Sequence, residues 1–515
     1  MKLQVLNAPS KTSKWGIYEL SVSGPSEGNP FTEHVVKAKF CGKSETVTVD
    51  GFYDGEGIYR VRFMPSFEGD YSYTVISDFG EQVSGKFFVE PAAEGNHGPV
   101  RVHNTYHFVY EDGTPYFSIG TTCYAWAFQK EEIRKCTLAQ LKDSAFNKIR
   151  FCLFPKHYIH NLKDPVSFPY VGTPIDRSHI TEENFLSGNW EYDYDNQFEY
   201  DRFNPAHFRL LDAMISELEK LGIEADLIVM HPYDCWGFST MTKEQDDLYW
   251  NYVIARYAAF HNVWWSLANE WDLLKEKTVA DWERYAQTLV EKDPYRHLRG
   301  IHNCIHIYDQ TRPWITHCSM QRTDVYKTTE MVDEYRIRYG KPVVMDEVCY
   351  EGDIEEGWGN ITGEEMVRRF WEGVCRGGYV GHGETYVHPE DILWWSHGGT
   401  LHGTANERLK FLARIAGTFP AEGLKPVKMA WDAPCAIPES ERMPAEGGQA
   451  PSFILTYLGY NRPSFRKWIL PNGASYRIEI VDTWNMTVTD AGVYEGFSHI
   501  ELPAKQYIAL IARRI

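Results

Sequence analysis

Residues 262–272 read NVWWSLANEWD, and this stretch decides the fold. From Val263 to Ala268 the run is uncharged and largely apolar, and it ends on Asn269 and Glu270. A continuous apolar run of this length is the mark of a parallel strand covered on both faces. The charge placed directly after it belongs to the strand's C-terminal end. A second stretch, KPVVMDEVCYEG at 341–352, repeats the arrangement, with Asp346 and Glu347 following Val343, Val344 and Met345. Working outward, six further runs have the same character: YFSIGTTC (116–123), NKIRFCLF (147–154), IEADLIVM (223–230), HLRGIHNC (297–304), PWITHCSM (313–320) and GGYVGHGE (377–384). Amphipathic stretches lie between them. Capping-box spacings at Thr137/Gln140, Thr242/Gln245, Thr362/Glu365 and Thr404/Glu407 mark helix starts, Asn204-Pro205 opens another helix, and Gly222 closes it. Eight strands alternating with helices predict an α/β fold, a (β/α)₈ TIM barrel. The competing doubly wound sheet lacks support, because no GxGxxG or P-loop follows the first strand.

The flanks read differently. Before residue 95, runs such as HVVKAKF, ETVTVDGFY, GIYRVRFM and DYSYTVIS alternate in polarity and are separated by turn residues, which predicts a small β-sandwich. PAAEGNHGP at 91–99 reads as a linker. After residue 420 the β pattern returns in SFILTYLG, RKWILP, SYRIEIVDTW and QYIALIARR. The expected organisation is therefore a sandwich over 1–95, a barrel over 96–419 and a second sandwich over 420–515.

In a barrel of this type the chemistry sits past the C-terminal ends of the strands. Glu270 after the fourth strand and Glu347 after the seventh then face one mouth. Two carboxyl groups are what cleavage of a glycosidic bond requires, one to protonate the leaving oxygen and one to attack the anomeric carbon or activate water. A one-residue change of register would put Asp346 in place of Glu347. Other polar and aromatic groups near strand ends are candidates to hold a substrate: His231, Tyr233, Trp126, Glu384 and Trp395 or its neighbour Trp394, the sequence leaving open which of the pair faces the pocket. His302, His306, His317 and His382 also lie near strand ends. They raise a rival class, a metal-dependent hydrolase, but the first strand ends TTCYAW without the HxH such sites usually begin with. No metal and no cofactor is expected. A further alternative is a non-catalytic carbohydrate-binding protein. The segment from about 158 to 203 carries Phe168, Tyr170, Phe185, Trp190, Tyr192, Tyr194 and Tyr200. It reads either as a specificity loop or as a small subdomain with its own core.

The formal net charge of −19 argues against nucleic acid and against an anionic membrane surface as partners. The expected partner is an oligosaccharide or small glycoside, and a homo-oligomer is left open. No apolar run is long enough to span a bilayer. The opening MKLQVLNAPSKTSKWG lacks a signal peptide's apolar core, and the 10 Cys are scattered without a CxxC pair. These features suggest a cytoplasmic protein.

The motifs NVWWSLANEWD and KPVVMDEVCYEG resemble the fourth- and seventh-strand motifs of clan A glycoside hydrolases. With the N-terminal run FYDGEGIYRVRFMPSFEGDYSYTV, nearly the whole chain resembles bacterial multi-domain glycosidases. In these an immunoglobulin-like domain precedes an apiosidase-like barrel and a β-domain follows. The resemblance implies a retaining mechanism with Glu347 as nucleophile and Glu270 as acid/base. It implies that Asn269 holds the sugar 2-hydroxyl, that Arg150 keeps Glu347 ionised, and that His317 takes the sixth-strand position that orients the nucleophile. The expected activity is hydrolysis of O-glycosidic bonds in short plant-derived glycans or glycosides, with exo action favoured.

Overall fold

The computed structural model describes residues 3–177, 179–187, 196–388 and 392–515. Trp190, Tyr192 and Tyr194 lie outside them. The central sheet has eight parallel strands: β1 (Ile119–Thr122), β2 (Lys148–Cys152), β3 (Glu224–Met230), β4 (Val263–Ala268), β5 (Arg299–Gly300), β6 (Cys318–Gln321), β7 (Val343–Glu347) and β8 (Tyr379–His382). Seven lie inside the expected runs, and β6 passes the end of its run by one residue, Gln321. The hydrogen-bonded order is β5-β4-β3-β2-β1-β8-β7-β6, and a parallel bridge between His302 and Ser319 joins the two ends into a barrel.

Helices α1 (Glu131–Lys142), α2 (Pro205–Lys220), α3 (Lys243–Tyr257), α4 (Val279–Lys292), α5 (Val332–Tyr339), α6 (Gly363–Cys375) and α7 (Ala405–Ala416) surround it. Their caps follow from the sequence in part. Thr242 and Gln245 form a reciprocal capping box at α3, and Asn204 caps α2 with Pro205 in the first turn. Thr137 does not start a helix. It sits inside α1, where its hydroxyl donates to the Ile133 carbonyl at 2.8 Å, a local bond that competes with capping. Thr404 stands at the N-terminus of α7 but gives its hydroxyl to Glu351 instead of the helix backbone. Among the described residues no helix connects β5 to β6.

The N-terminal region forms two sheets packed face to face. In the strand Val36–Cys41 the residues Val36, Ala38 and Phe40 point inward while Lys37 and Lys39 stay exposed, the period-2 pattern of a half-buried strand. Phe40 stacks on Phe63 at 4.3 Å and Tyr18 on Phe87 at 3.8 Å, joining the two sheets. A charged seam ties this region to the barrel. Arg62 and Arg256 both grip Asp212, and Arg256 also reaches Asp54 at 2.9 Å.

The C-terminal region centres on a six-stranded antiparallel sheet. Its central strands are buried on both faces, so alternate residues enter different cores. Leu455, Tyr457 and Ile511 pack toward the barrel, where Tyr457 stacks on Trp371 of α6. Ile454, Leu510 and Ala512 pack under a two-stranded ribbon carrying Trp468 and Ile500. A small sheet of Val100–His103, His107–Tyr110 and Pro115–Tyr116 plugs the barrel's N-terminal end, with Phe108 and Tyr116 against Trp264 and Val344. No helix among the described residues is long and apolar enough to cross a membrane.

Candidate active site

Two backbone irregularities place the acids. Between β6 and β7 the register passes from Met320↔Met345 to Gln321↔Glu347, so Asp346 is an extra residue without a partner. Such a bulge breaks the alternation of sides and lets two successive residues face the barrel axis. Asp346 points down into the barrel, where Lys148 donates to it at 2.7 Å and Ser319 at 2.6 Å. Glu347 rises to the mouth. At the end of β4, Glu270 adopts the left-handed conformation at φ 52°, a strained choice for a residue with a Cβ. That twist turns Asn269 and Glu270 to the same side.

Both carboxylates line one cavity of about 270 Å³ at the C-terminal end of the strands. Its other walls include Tyr124, Lys156, Tyr158, Tyr233, Tyr350, Trp358 and Trp395. Each carboxylate is gripped by a phenol, Glu347 by the Tyr124 hydroxyl and Glu270 by that of Tyr233. Arg150 donates to Glu347 Oε1 at 3.1 Å and to Asn269 Oδ1 at 3.3 Å. Asn269 donates in turn to Glu270 Oε2 at 3.2 Å, so one amide touches the supporting groups of both acids. Asp272 accepts from the backbone N–H groups of Cys304, Ile305 and His306, which fixes the loop after β5 against the one after β4.

The surroundings shift the two acids in opposite directions. Burial and the charge of Glu347 push the Glu270 carboxyl above its ordinary value. Burial alone would raise Glu347 as well, but the positive groups around it and the Tyr124 hydrogen bond outweigh burial and hold it below the usual range. His302 stands 3.7 Å from Glu347 Oε1. Burial and the neighbouring Arg150 press its imidazole down to about 4, so near neutrality it is uncharged and Arg150 is the adjacent cation that matters.

This geometry has known relatives. The chain matches the family model for the apiosidase-like catalytic domain over residues 102–433. It belongs to the apiosidase-like glycoside hydrolases. The flanks match two families described as domains of unknown function, DUF5060 over 11–78 and DUF5605 over 431–513. A putative glycoside hydrolase from Bacteroides vulgatus is 35% identical, with a TM-score of 0.89 over 98% of this chain and 100% of its own. A family 5 glycoside hydrolase from the same organism shares the fold at 16% identity, with a TM-score of 0.59 over 81% of this chain and 93% of its own. No curated protein matches the chain.

Not every residue expected at the mouth of this apiosidase-like hydrolase is there. Glu270, Glu347, Asn269, Arg150, Tyr233 and Trp395 come together. Trp395 is the inward member of its pair, while Trp394 is buried in the core and donates to the Thr121 hydroxyl. Trp126 is also a core residue, packed edge-on against Phe151. His231 is buried below the cavity with Nε2 against the Phe154 carbonyl at 3.2 Å. His317 does not reach Glu347. It points to the lower half of the barrel, against Trp264 and Phe108, and His302 stands beside the carboxylate instead. His382 is buried against Phe146, and His306 contributes its carbonyl to the Trp271 indole.

The described part of the segment after β2 joins the barrel's own core, where Phe203 stacks on Tyr252 of α3. Phe168 and Tyr170 pack with Phe198, Tyr200, Trp236 and Phe238, and Phe185 backs the cavity residue Tyr158. Residues missed in the sequence are Tyr124, Lys156, Tyr158, Tyr350 and Trp358. Tyr124 follows β1 by two positions, as mouth residues do. Tyr350 fits because Gly383 beside it has no side chain; a Cβ there would meet the ring at 2.2 Å.

Glu384 lies outside the cavity, 1% exposed, where it accepts from the backbone N–H groups of His402 and Gly403. Glu351 and His382 adjoin it, and this is the group of described residues whose side chains could gather around a metal ion. Burial and Glu351 push the Glu384 carboxyl up to about 8. The unfolded chain releases this proton near the ordinary value of ~4.3. The contribution of Glu384 to stability is therefore full below that pH and is lost as pH rises through the folded value. Glu384→Gln, neutral at every pH, is expected to flatten the fall in melting temperature between about pH 5 and 8. A wild-type and variant pair with equal slopes over that window would contradict the assignment.

Proposed function

We propose that this protein is a retaining, exo-acting hydrolase of O-glycosidic bonds in short plant-derived glycans or glycosides. The observation that carries the reading is a pair of carboxyl groups in one cavity, with surroundings that favour the protonated form of Glu270 and the ionised form of Glu347. Glu270 gives its proton to the glycosidic oxygen as an oxygen of Glu347 attacks the anomeric carbon. The bond to the aglycone breaks, and the aglycone leaves as an alcohol. Tyr124 and Arg150 both bind Oε1 of Glu347, which leaves Oε2 for the anomeric carbon. In the second half Glu270, now a carboxylate, takes a proton from water. The water oxygen joins the anomeric carbon and the ester to Glu347 breaks. Asn269 bonds both Arg150 and Glu270, a position between the acids that supports its assignment to the sugar 2-hydroxyl. The cavity of about 270 Å³ falls just under the ~300–1,000 Å³ common for ligand pockets, which favours recognition of a chain end. The plant origin of the substrate rests on the family resemblance. A reducing, cytoplasmic setting is supported by ten unpaired cysteines, seven of them buried.

The test is turnover by the purified protein on a panel of nitrophenyl glycosides and of pectin and hemicellulose fragments, with the released sugar followed by proton NMR. The expected product first appears in the anomeric configuration of the substrate. Inverted product would remove the double-displacement mechanism, and no turnover on any member would count against hydrolysis.

A further inference from the structure

We propose that the sugar held between Glu270 and Glu347 carries a carboxylate, and that Lys156 binds it; this rests on the glycosidase reading above. Lys156 follows β2 by four residues, is 3% exposed and lines the cavity. Its surroundings are ring faces. The ammonium lies 3.6 Å from the Tyr124 centroid, 4.2 Å from that of Tyr233, 4.6 Å from Trp395 and 5.7 Å from Tyr158. Among the described residues it donates no hydrogen bond, and no carboxylate oxygen lies within 4.0 Å of it. The two cations on β2 itself are ion-paired: Lys148 with Asp226 and Asp346, and Arg150 with Glu347 and Asp226.

An ammonium has three N–H donors and no acceptor, and a buried charge is normally paired. Ring faces attract the cation but do not replace oxygen acceptors. The acceptor that is missing has to come from whatever fills the cavity. An anionic oxygen answers the charge as well as the hydrogen bonds, which a neutral hydroxyl does not. The place is also specific. The two tyrosines whose rings cage Lys156 are the ones whose hydroxyls hold Glu347 and Glu270, so its ligand belongs to the sugar at the reacting centre. Trp395 completes the cage and offers that sugar an apolar wall. The chemical class this describes is a hexuronic acid, in which a carboxylate replaces the primary alcohol of a neutral hexose.

The experiment compares matched sugars with the full-length wild type and with Lys156→Gln and Lys156→Met, each variant first checked for an unchanged melting profile. Binding of glucuronate against glucose, galacturonate against galactose and mannuronate against mannose is read by calorimetry, together with the corresponding sugar 6-sulfates. Turnover of the matched nitrophenyl glycosides is measured in parallel. The expected result is that at least one uronate binds the wild type ~10–100-fold more tightly than its neutral partner, the advantage of one charged hydrogen bond. Both variants should lose that advantage. Equal binding of every pair, a preference for the sulfates, or an advantage that persists in a folded variant would overturn the proposal. Hydrolysis of neutral hexosides without preference for uronides would overturn it and leave the glycosidase reading intact. Absence of turnover on every glycoside would instead strike the glycosidase reading.

Discussion

Glu270→Ala is expected to slow hydrolysis of a glycoside with an alcohol leaving group by about 10²–10⁴-fold, and to slow a dinitrophenyl glycoside far less. The asymmetry follows from the role assigned to this carboxyl. An alcohol must be protonated as it departs, whereas dinitrophenolate leaves without help. The pH profile supplies the second half of the test. Burial and the charge of Glu347 raise Glu270, so the alkaline limb of kcat/KM should lie above the ordinary carboxylate range. The positive surroundings of Glu347 place the acid limb below that range. In Glu270→Ala the alkaline limb disappears, since no proton remains there to lose. A uniform loss across leaving groups, or an alkaline limb that survives, would take the acid/base role away from Glu270.

The larger effect is expected from Glu347→Ala. Removing the group that forms the bond to the anomeric carbon leaves binding and electrostatics, and the loss in kcat should reach about 10⁴–10⁶-fold for any leaving group. The vacated space lies on the face from which Glu347 attacks. Azide should enter it, attack the anomeric carbon and give a glycosyl azide of configuration opposite to that of the substrate. With Glu270→Ala, azide should instead intercept the intermediate on Glu347 and give the substrate's own configuration. The pair of outcomes separates the two roles, whereas a shared outcome would merge them. Arg150 and Asn269 connect these residues, so their substitutions should not add independently.

The barrel was legible because its strands are buried on both faces and so appear as unbroken apolar runs. The acids were legible because a charge at the C-terminal end of such a run falls at or just beneath the mouth. What lay beyond the sequence was side-chain direction over the last two residues of a strand. Alternation alone would point Asp346 and Glu347 to opposite sides, and the bulge that brings both inward is set by pairing with β6. The same limit explains the misplaced residues. Trp126 and His231 follow strand ends as Tyr124 and Tyr233 do, but their neighbours turn them into the core. His317 fails for a different reason, because β6 begins at Cys318 and leaves it near the N-terminal end of the strand. Lys156 carried no signal of its own, since a lysine in a loop is ordinarily solvated. Only the closing of four aromatic rings around it makes it unusual.

The account depends on a covalent bond between Glu347 and the sugar, and trapping that bond tests it most directly. A 2-deoxy-2-fluoro glycoside of the sugar selected by turnover should inactivate the wild type and add the mass of one fluorosugar. Fragmentation of the proteolytic digest should place that mass on Glu347. A label on Asp346 or Glu270 would contradict the account, as would an enzyme that turns the unmodified glycoside over yet releases inverted product and is never labelled.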